Sequence, residues 1–151
     1  MHSDDQSCAT RYSRDDGSRM SGAQTVPDLD APASRAALAR LVTRLFDSWS
    51  LDQAEQLELL GLNARSSTRL RRFHRGAAVR ISRDMLDRIG WLLSIYKTLY
   101  LLYPHNEQLR RAWMKHRNFV FENHTPIEVI RDGGLIGIAR VARYLEWQLA
   151  R

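Results

Sequence analysis

From Ser34 onward, apolar residues fall three and four positions apart, at Leu38, Leu41, Val42, Leu45, Phe46 and Trp49. That period places them on one face of an α-helix, so a first helix is expected from Ser34 to about Trp49. Ser50 followed three residues later by Gln53 has the form of a capping box and is expected to open a second helix. This helix runs through Ala54, Leu57 and Leu60 and stops at Gly61, where a left-handed residue costs little. After a short Leu62-Asn63-Ala64 connection, Ser66 to His74 forms a third helix ended by Gly76. Helix, glycine turn, basic helix is the outline of a helix-turn-helix.

Ile81, Ser82 and Leu86 have the form of a hydrophobic staple around a serine N-cap. They open a long helix that runs to about Tyr103 and is stopped by Pro104. Its apolar residues, among them Met85, Ile89, Leu92, Ile95, Tyr96 and Leu99, cover more than one face, which predicts a central helix packed on several sides. The run from Ile89 to Tyr103 is shorter than the roughly 20 apolar residues a membrane span needs and carries Lys97. Asn106 is expected to cap a short helix carrying Leu109, Ala112 and Trp113. Thr125-Pro126-Ile127-Glu128 combines an N-cap, a proline at the first helical position and a capping-box acid. The helix it starts ends at Gly133-Gly134, and a last one carries Leu135, Ile138, Val141, Ala142, Leu145 and Leu149. No period-two stretch suggests a sheet, so the expected fold is all-α.

A chain of 151 residues can bury one core and little more. Residues 1–33, rich in Ser and Asp and ending near Pro27 and Pro32, read as a disordered tail without the apolar segment of a secretory signal. Residues 34–103 then form the helix-turn-helix unit with its long helix, and 104–151 a second helical unit. A single cysteine, Cys8, provides neither a disulfide framework nor a multi-cysteine metal site, and the expected compartment is the cytoplasm. The net charge is +6, and lysine occurs only at Lys97 and Lys115, so the cations are nearly all arginine. Arginine suits phosphate recognition, though genomic base composition also enriches it.

The arginines concentrate on the third helix: Arg65, Arg69, Arg71, Arg72 and Arg75 lie within eleven residues. In a helix-turn-helix this helix enters the major groove by its N-terminal end, so Arg65, Ser66, Ser67, Thr68 and Arg69 would face base edges and phosphates. Arg71, Arg72 and Arg75 would contact phosphates alone. A solvated charged face, or a helix-turn-helix that only dimerises, is the competing account. The histidines His74, His105, His116 and His124 form no pair at metal-ligand spacing within one helix. No catalytic constellation and no phosphate loop after a strand is visible, so neither metal nor cofactor is expected. Trp113, Phe119, Val120, Phe121 and Trp147 supply more aromatic and apolar bulk than a short helical hairpin buries alone.

In this order the residues resemble the Xre/MbcA/ParS antitoxins, which join an Xre-like helix-turn-helix to a small toxin-binding domain. The resemblance is carried by Trp113, Asn118, Phe119 and Phe121, then Thr125-Pro126-Ile127-Glu128-Val129-Ile130, then Gly133-Gly134 and the final helix. Upstream, Leu59-Leu60-Gly61-Leu62 and Phe73-His74-Arg75-Gly76 look like the family's helix-turn-helix, with Phe73 where a tryptophan often sits. Arg117 stands where the family usually has proline, and Asn123 and His124 replace its glycines. The resemblance implies binding of operator DNA, a homodimer and a larger complex with a cognate toxin. That toxin is expected to be of RES type, with an ADP-ribosyltransferase-like fold acting on NAD. It further implies toxin contacts through Trp113, Asn118, Phe119, Phe121, Thr125, Pro126, Arg143, Trp147 and Arg151. Trp147 either takes part in that contact or packs back onto Leu93 or Tyr96. A plain regulator whose C-terminal helices only dimerise it, and a small helical enzyme, are the alternatives.

Overall fold

The computed structural model describes residues 28–151. Cys8 and most of the expected N-terminal tail therefore lie outside the described residues. The first helix, α1, spans Pro32–Ser48. It opens two residues ahead of Ser34 because Pro32 occupies the first turn, where a missing N–H forfeits no helical hydrogen bond. Ala39, Val42, Leu45 and Phe46 form its buried face.

The expected Ser50–Gln53 capping box does not form. Ser50 is left-handed (φ 51°), whereas an N-cap needs extended backbone. Its N–H donates to the Asp47 carbonyl at 3.0 Å and that of Leu51 to the Phe46 carbonyl at 3.1 Å, the paired bonds of a Schellman turn that closes α1. The box sits two residues later: Asp52 Oδ1 accepts from the Glu55 N–H at 2.8 Å, and Glu55 Oε2 from the Asp52 N–H at 2.8 Å. The second helix, α2, is accordingly Gln53–Leu59.

The same Schellman pairing closes α2 at Gly61 (φ 69°) and the third helix, α3 (Ser67–His74), at Gly76 (φ 68°). A 3₁₀ turn over Ala64–Ser66 leads into α3. A side chain at Gly61 would be strained by its backbone and would also crowd the structure, since a Cβ there would lie 2.6 Å from Arg88 Nε.

The long helix α4 spans Arg83–Leu102, with Ser82 Oγ accepting from the Met85 N–H at 3.2 Å. Asn106 caps α5 (Glu107–Ala112) through the Leu109 N–H at 2.9 Å. Two 3₁₀ turns, Trp113–Lys115 and Phe119–Phe121, lead to α6 (Pro126–Leu149). Thr125 Oγ1 accepts from the Glu128 N–H at 3.1 Å and Glu128 Oε2 from the Thr125 N–H at 2.8 Å, so the expected capping box is present. The fold is all-α, and the described residues contain no strand, only an isolated bridge between Asn118 and His124.

As its many-sided apolar surface predicts, α4 is central: it packs chiefly on α6 and also on α1, while α6 reaches α2. One continuous core runs from Phe46, Trp49 and Phe73 through Ile89, Leu92 and Ile95 to Ile130, Ile138, Val141 and Leu145. Each fully buried side chain of this kind contributes about 1.5–3 kcal/mol. Two ion pairs cross between the halves, Lys115 Nζ to Glu55 Oε2 at 3.1 Å and Arg131 Nε to Glu58 Oε2 at 2.8 Å. Such partly solvated pairs contribute about 0–1 kcal/mol each, so the shared core holds the halves together. No helix among the described residues is long and apolar enough to cross a membrane.

The hydrogen bond from the Thr125 N–H holds the Glu128 carboxyl below its usual range, with Arg117 and His124 adding to the effect. A carboxyl lowered on folding stabilises fully above its unfolded-state pKa and loses that contribution as pH falls through the folded-state value. Thr125→Ala should lower the melting temperature, corresponding to a cap worth about 0.5–2 kcal/mol. Glu128→Gln keeps the hydrogen bond but cannot titrate, and should flatten the acid limb of stability against pH. Thermal melts at neutral and acidic pH measure both.

Candidate functional site

Buried Gln56 sets the angle between α2 and α3. Its Nε2 donates to the Leu51 carbonyl at 2.8 Å, and its Oε1 lies 2.6 Å from His74 Nε2 at the far end of α3. Leu70 and Phe73 anchor α3 inward. Arg65, Thr68, Arg71, Arg72 and Arg75 are exposed, with Ser66 and Ser67 partly covered beside them. No carboxylate occurs from Ala64 to His74, and Arg65, Arg71, Arg72 and Arg75 have no ion-pair partner among the described residues. The result is an unopposed cationic face. Arg69 departs from it: four residues before Phe73, it lies on the flank of the inward face, where its guanidinium donates to the Arg80 carbonyl and sits 3.9 Å from Met85 Sδ.

In the C-terminal half, the aromatic residues divide. Trp113, Phe121 and Pro126 are buried, whereas Phe119 is 93% exposed and Trp147 54%. Asn118 and Thr125 act on the backbone: Asn118 Oδ1 accepts from the Val120 N–H at 3.0 Å, and Thr125 forms the capping box. Glu122 and Asn123 are both left-handed, a conformation that asparagine tolerates better than most residues. Arg117 donates to the Asn123 carbonyl at 2.8 Å and holds the loop from the side.

The expected break in the last helical segment is a kink inside α6 at Gly134 (φ 56°, ψ −132°). Gly137 makes the tight fold possible, because a Cβ there would overlap the Val129 carbonyl oxygen and lie 3.0 Å from Ile130 Cα. Beyond the kink, Ile136, Arg140, Arg143 and Trp147 are exposed at spacings of four, three and four, which align them along one side of the helix. Arg151 extends the stripe, its guanidinium carbon 4.5 Å from the centre of the Trp147 ring. Trp147 neighbours Tyr144, at 6.3 Å between ring centres, and Tyr144 meets Phe121 edge-on at 5.1 Å. Between the stripe and the Phe119–Phe121 turn lies an open hollow of about 340 Å³, lined in part by Phe121, Glu122, His124, Ile136 and Arg140.

Phe119, Arg143, Trp147 and Arg151 thus lie on the C-terminal surface, while Trp113, Phe121, Asn118, Thr125 and Pro126 shape it from beneath or behind. Ile136, 81% exposed, and Arg140 escaped the sequence reading. The available signal was the angular position of Ile136, which falls with Arg140, Arg143 and Trp147 rather than with inward-facing Ile138 and Val141. Among the described residues, no group of three or more His, Cys, Asp or Glu side chains is placed to hold a metal ion.

Residues 28–94 match the family described as the antitoxin Xre-like helix-turn-helix domain. Residues 98–147 match the antitoxin Xre/MbcA/ParS C-terminal toxin-binding domain. The chain belongs to the Xre/MbcA/ParS antitoxins. The two matches meet within α4, so this antitoxin's long helix is shared between its domains. The antitoxin is also similar to the uncharacterized protein y4oB of Sinorhizobium fredii, with 29% identity over 107 residues, 70% of this chain and 78% of the relative.

Because the antitoxin's C-terminal surface depends on the fold at Gly137, Gly137→Ala should cost about 1–3 kcal/mol, the usual penalty for overpacking against atoms that cannot yield. Gly133→Ala, with open space around its Cβ, should cost less. Denaturant titrations of the two variants measure the difference.

Proposed function

We propose that this antitoxin neutralises a RES-type, NAD-consuming toxin by covering it with the outer face of α6, and represses its own operon through α3. The observation that carries the first half is the stripe from Ile136 to Arg151 beside exposed Phe119: apolar and aromatic side chains interleaved with arginines, set on a rigid helix. The guanidinium groups suit carboxylates at the margin of an NAD cleft, and its base subsites suit an aromatic ring. On this reading Arg143, Trp147 and Arg151 approach the cleft while Phe119 and Ile136 seal its rim. The protein acts by binding, without cofactor or catalysis, and works in the cytoplasm where its operator lies.

For DNA, the unopposed cations Arg71, Arg72 and Arg75 supply phosphate contacts, while Arg65, Ser66, Ser67 and Thr68 stand at the N-terminal end of α3. Arg69 holds the following loop in this state and reaches a base only by releasing the Arg80 carbonyl. Replacing Arg71 and Arg72 with alanine should make the fall of log affinity with log salt shallower, by about 0.9 for each phosphate left without its cation. Fluorescence anisotropy with the upstream DNA over a salt series measures this, and a slope unchanged by the substitutions would remove α3 from the interface.

Co-expression with the toxin in a growth assay tests neutralisation. Ile136→Glu combined with Arg143→Glu should abolish protection while operator affinity persists. Deleting residues 147–151 separates two mechanisms: lost protection places the terminus in the cleft, whereas full protection leaves occlusion by the Phe119 and Ile136 surface. If the double variant protects as well as wild type, the α6 face is not the toxin interface.

A further inference from the structure

Charge is divided unevenly along the chain. Residues 1–31 hold six aspartates against three arginines, a net of −3, and since the whole chain is +6, residues 32–151 carry +9. Four of the aspartates form two pairs, Asp4-Asp5 and Asp15-Asp16. Arg14 and Arg19 flank the second pair, whereas the first has no Arg or Lys within four residues and is the stronger negative site. An acidic segment ahead of a basic body calls for a cationic counterpart. The densest one is α3, where Arg65, Arg71, Arg72 and Arg75 are exposed and have no ion-pair partner among the described residues. Elsewhere carboxylates already answer several of the arginines, with Arg111 2.6 Å from Glu107, Arg131 2.8 Å from Glu58 and Arg140 3.8 Å from Glu122.

The path of the chain puts the two within reach. The acidic segment enters α1 at Pro32, and α1 packs on α3. Arg40, on the third turn of α1, lies beside Gly76 at the end of α3, where a Cβ would sit 3.1 Å from Arg40 Cγ. From Pro32 to Arg40 the helix rises about 12 Å, and α3 itself is about 12 Å long. Asp16 precedes Pro32 by sixteen residues and Asp5 by twenty-seven. At no more than about 3.6 Å per residue these stretches extend up to about 58 and 97 Å, so both pairs can reach every arginine of α3. We propose that the acid pairs of residues 1–27 occupy the cationic face of α3 in the free protein and yield it to DNA. Carboxylates match guanidinium groups in geometry as well as charge. A segment of the same chain meets the face at an effective concentration of about millimolar, which sustains contacts too weak to hold two separate molecules. Any polyanion must then displace the segment before it binds. DNA that offers only phosphates bears that cost in full, while an operator offsets it with base contacts, so the segment sharpens discrimination. The competition rests on the reading of α3 as the DNA face; the contact itself does not.

Cys8, three residues after Asp5, is the one cysteine of the chain, so a nitroxide placed on it labels the acidic segment without any substitution. In the full chain without DNA or toxin, the label should broaden the amide resonances of Arg71, Arg72 and Arg75 more than those of Arg143 and Trp147. High salt should remove the difference, because it screens the attraction. Asp4→Asn combined with Asp5→Asn should weaken the broadening at low salt. The same full-length variant should bind random-sequence DNA about two- to tenfold more tightly at low salt, the gain expected when a face occupied for much of the time is released, and the gain should shrink as salt rises. Two lost negative charges favour DNA wherever they lie, so the label decides the contact. Equal broadening of α3 and α6, or a preference for α3 that neither salt nor the asparagines reduce, would overturn the contact. A variant that loses the broadening yet binds DNA no more tightly would overturn the competition. Absence of salt-sensitive DNA affinity in both forms would instead remove the DNA reading of α3, and the competition with it, while the result from the label stands.

Discussion

The close approach of Gly137 to the Val129–Ile130 backbone is the contact on which the C-terminal half turns. With any side chain at that position, the two arms of α6 must separate. With glycine, the arm before the kink stays under the capping box, where Ile127 and Ile130 are buried, and the arm after it lays Ile138, Val141, Ala142 and Leu145 against α4. That packing determines which residues remain outside. Once the inward face is fixed, Ile136, Arg140, Arg143 and Trp147 have nowhere to go but outward. The exposed stripe is thus a geometric consequence of the same residue that closes the core.

The two family domains are joined more closely than their separate matches suggest. The long helix α4 takes its first half from one and its last residues from the other, and its buried side chains are shared between α1 on one side and α6 on another. The ion pairs from Glu55 to Lys115 and from Glu58 to Arg131 both end on α2, the helix that supports α3. Burial provides the cohesion, and the pairs tie α2 to the Trp113–Lys115 turn and to the first arm of α6.

How much of this was legible depends on how local the cause is. The caps at Ser82, Asn106 and Thr125 and the stops at Gly61 and Gly76 are written in a few adjacent residues, and the helices they bound are present. Ser50 misled because a serine before a helix ordinarily caps it, whereas here the preceding helix needs a left-handed residue to end, and Asp52 takes the cap. The aromatic residues were harder still. Nothing local distinguishes Phe119 from Phe121, yet one is solvent-facing and the other lies under Tyr144, because the 3₁₀ turn between them rotates the two side chains apart. Arg69 likewise looks like its neighbours in sequence, and only the path of the chain through Arg80 shows that its guanidinium has a backbone partner.

The surfaces differ most in the sign of the charge around their apolar residues, and that difference narrows what each can bind. The α3 face is cationic with no carboxylate of its own, which suits a polyanion whose counterions are released on contact. The α6 stripe mixes guanidinium groups with Ile136, Trp147 and neighbouring Phe119, which suits a partner surface that is acidic and partly apolar. The groove beside Tyr96 carries both signs, with Arg44, Arg110 and Arg111 beside Asp47 and Glu107. One small core thereby presents three chemically distinct faces that share none of these residues. That separation follows from the packing of α4, which turns the basic face of α3 and the stripe of α6 outward from different parts of the same core.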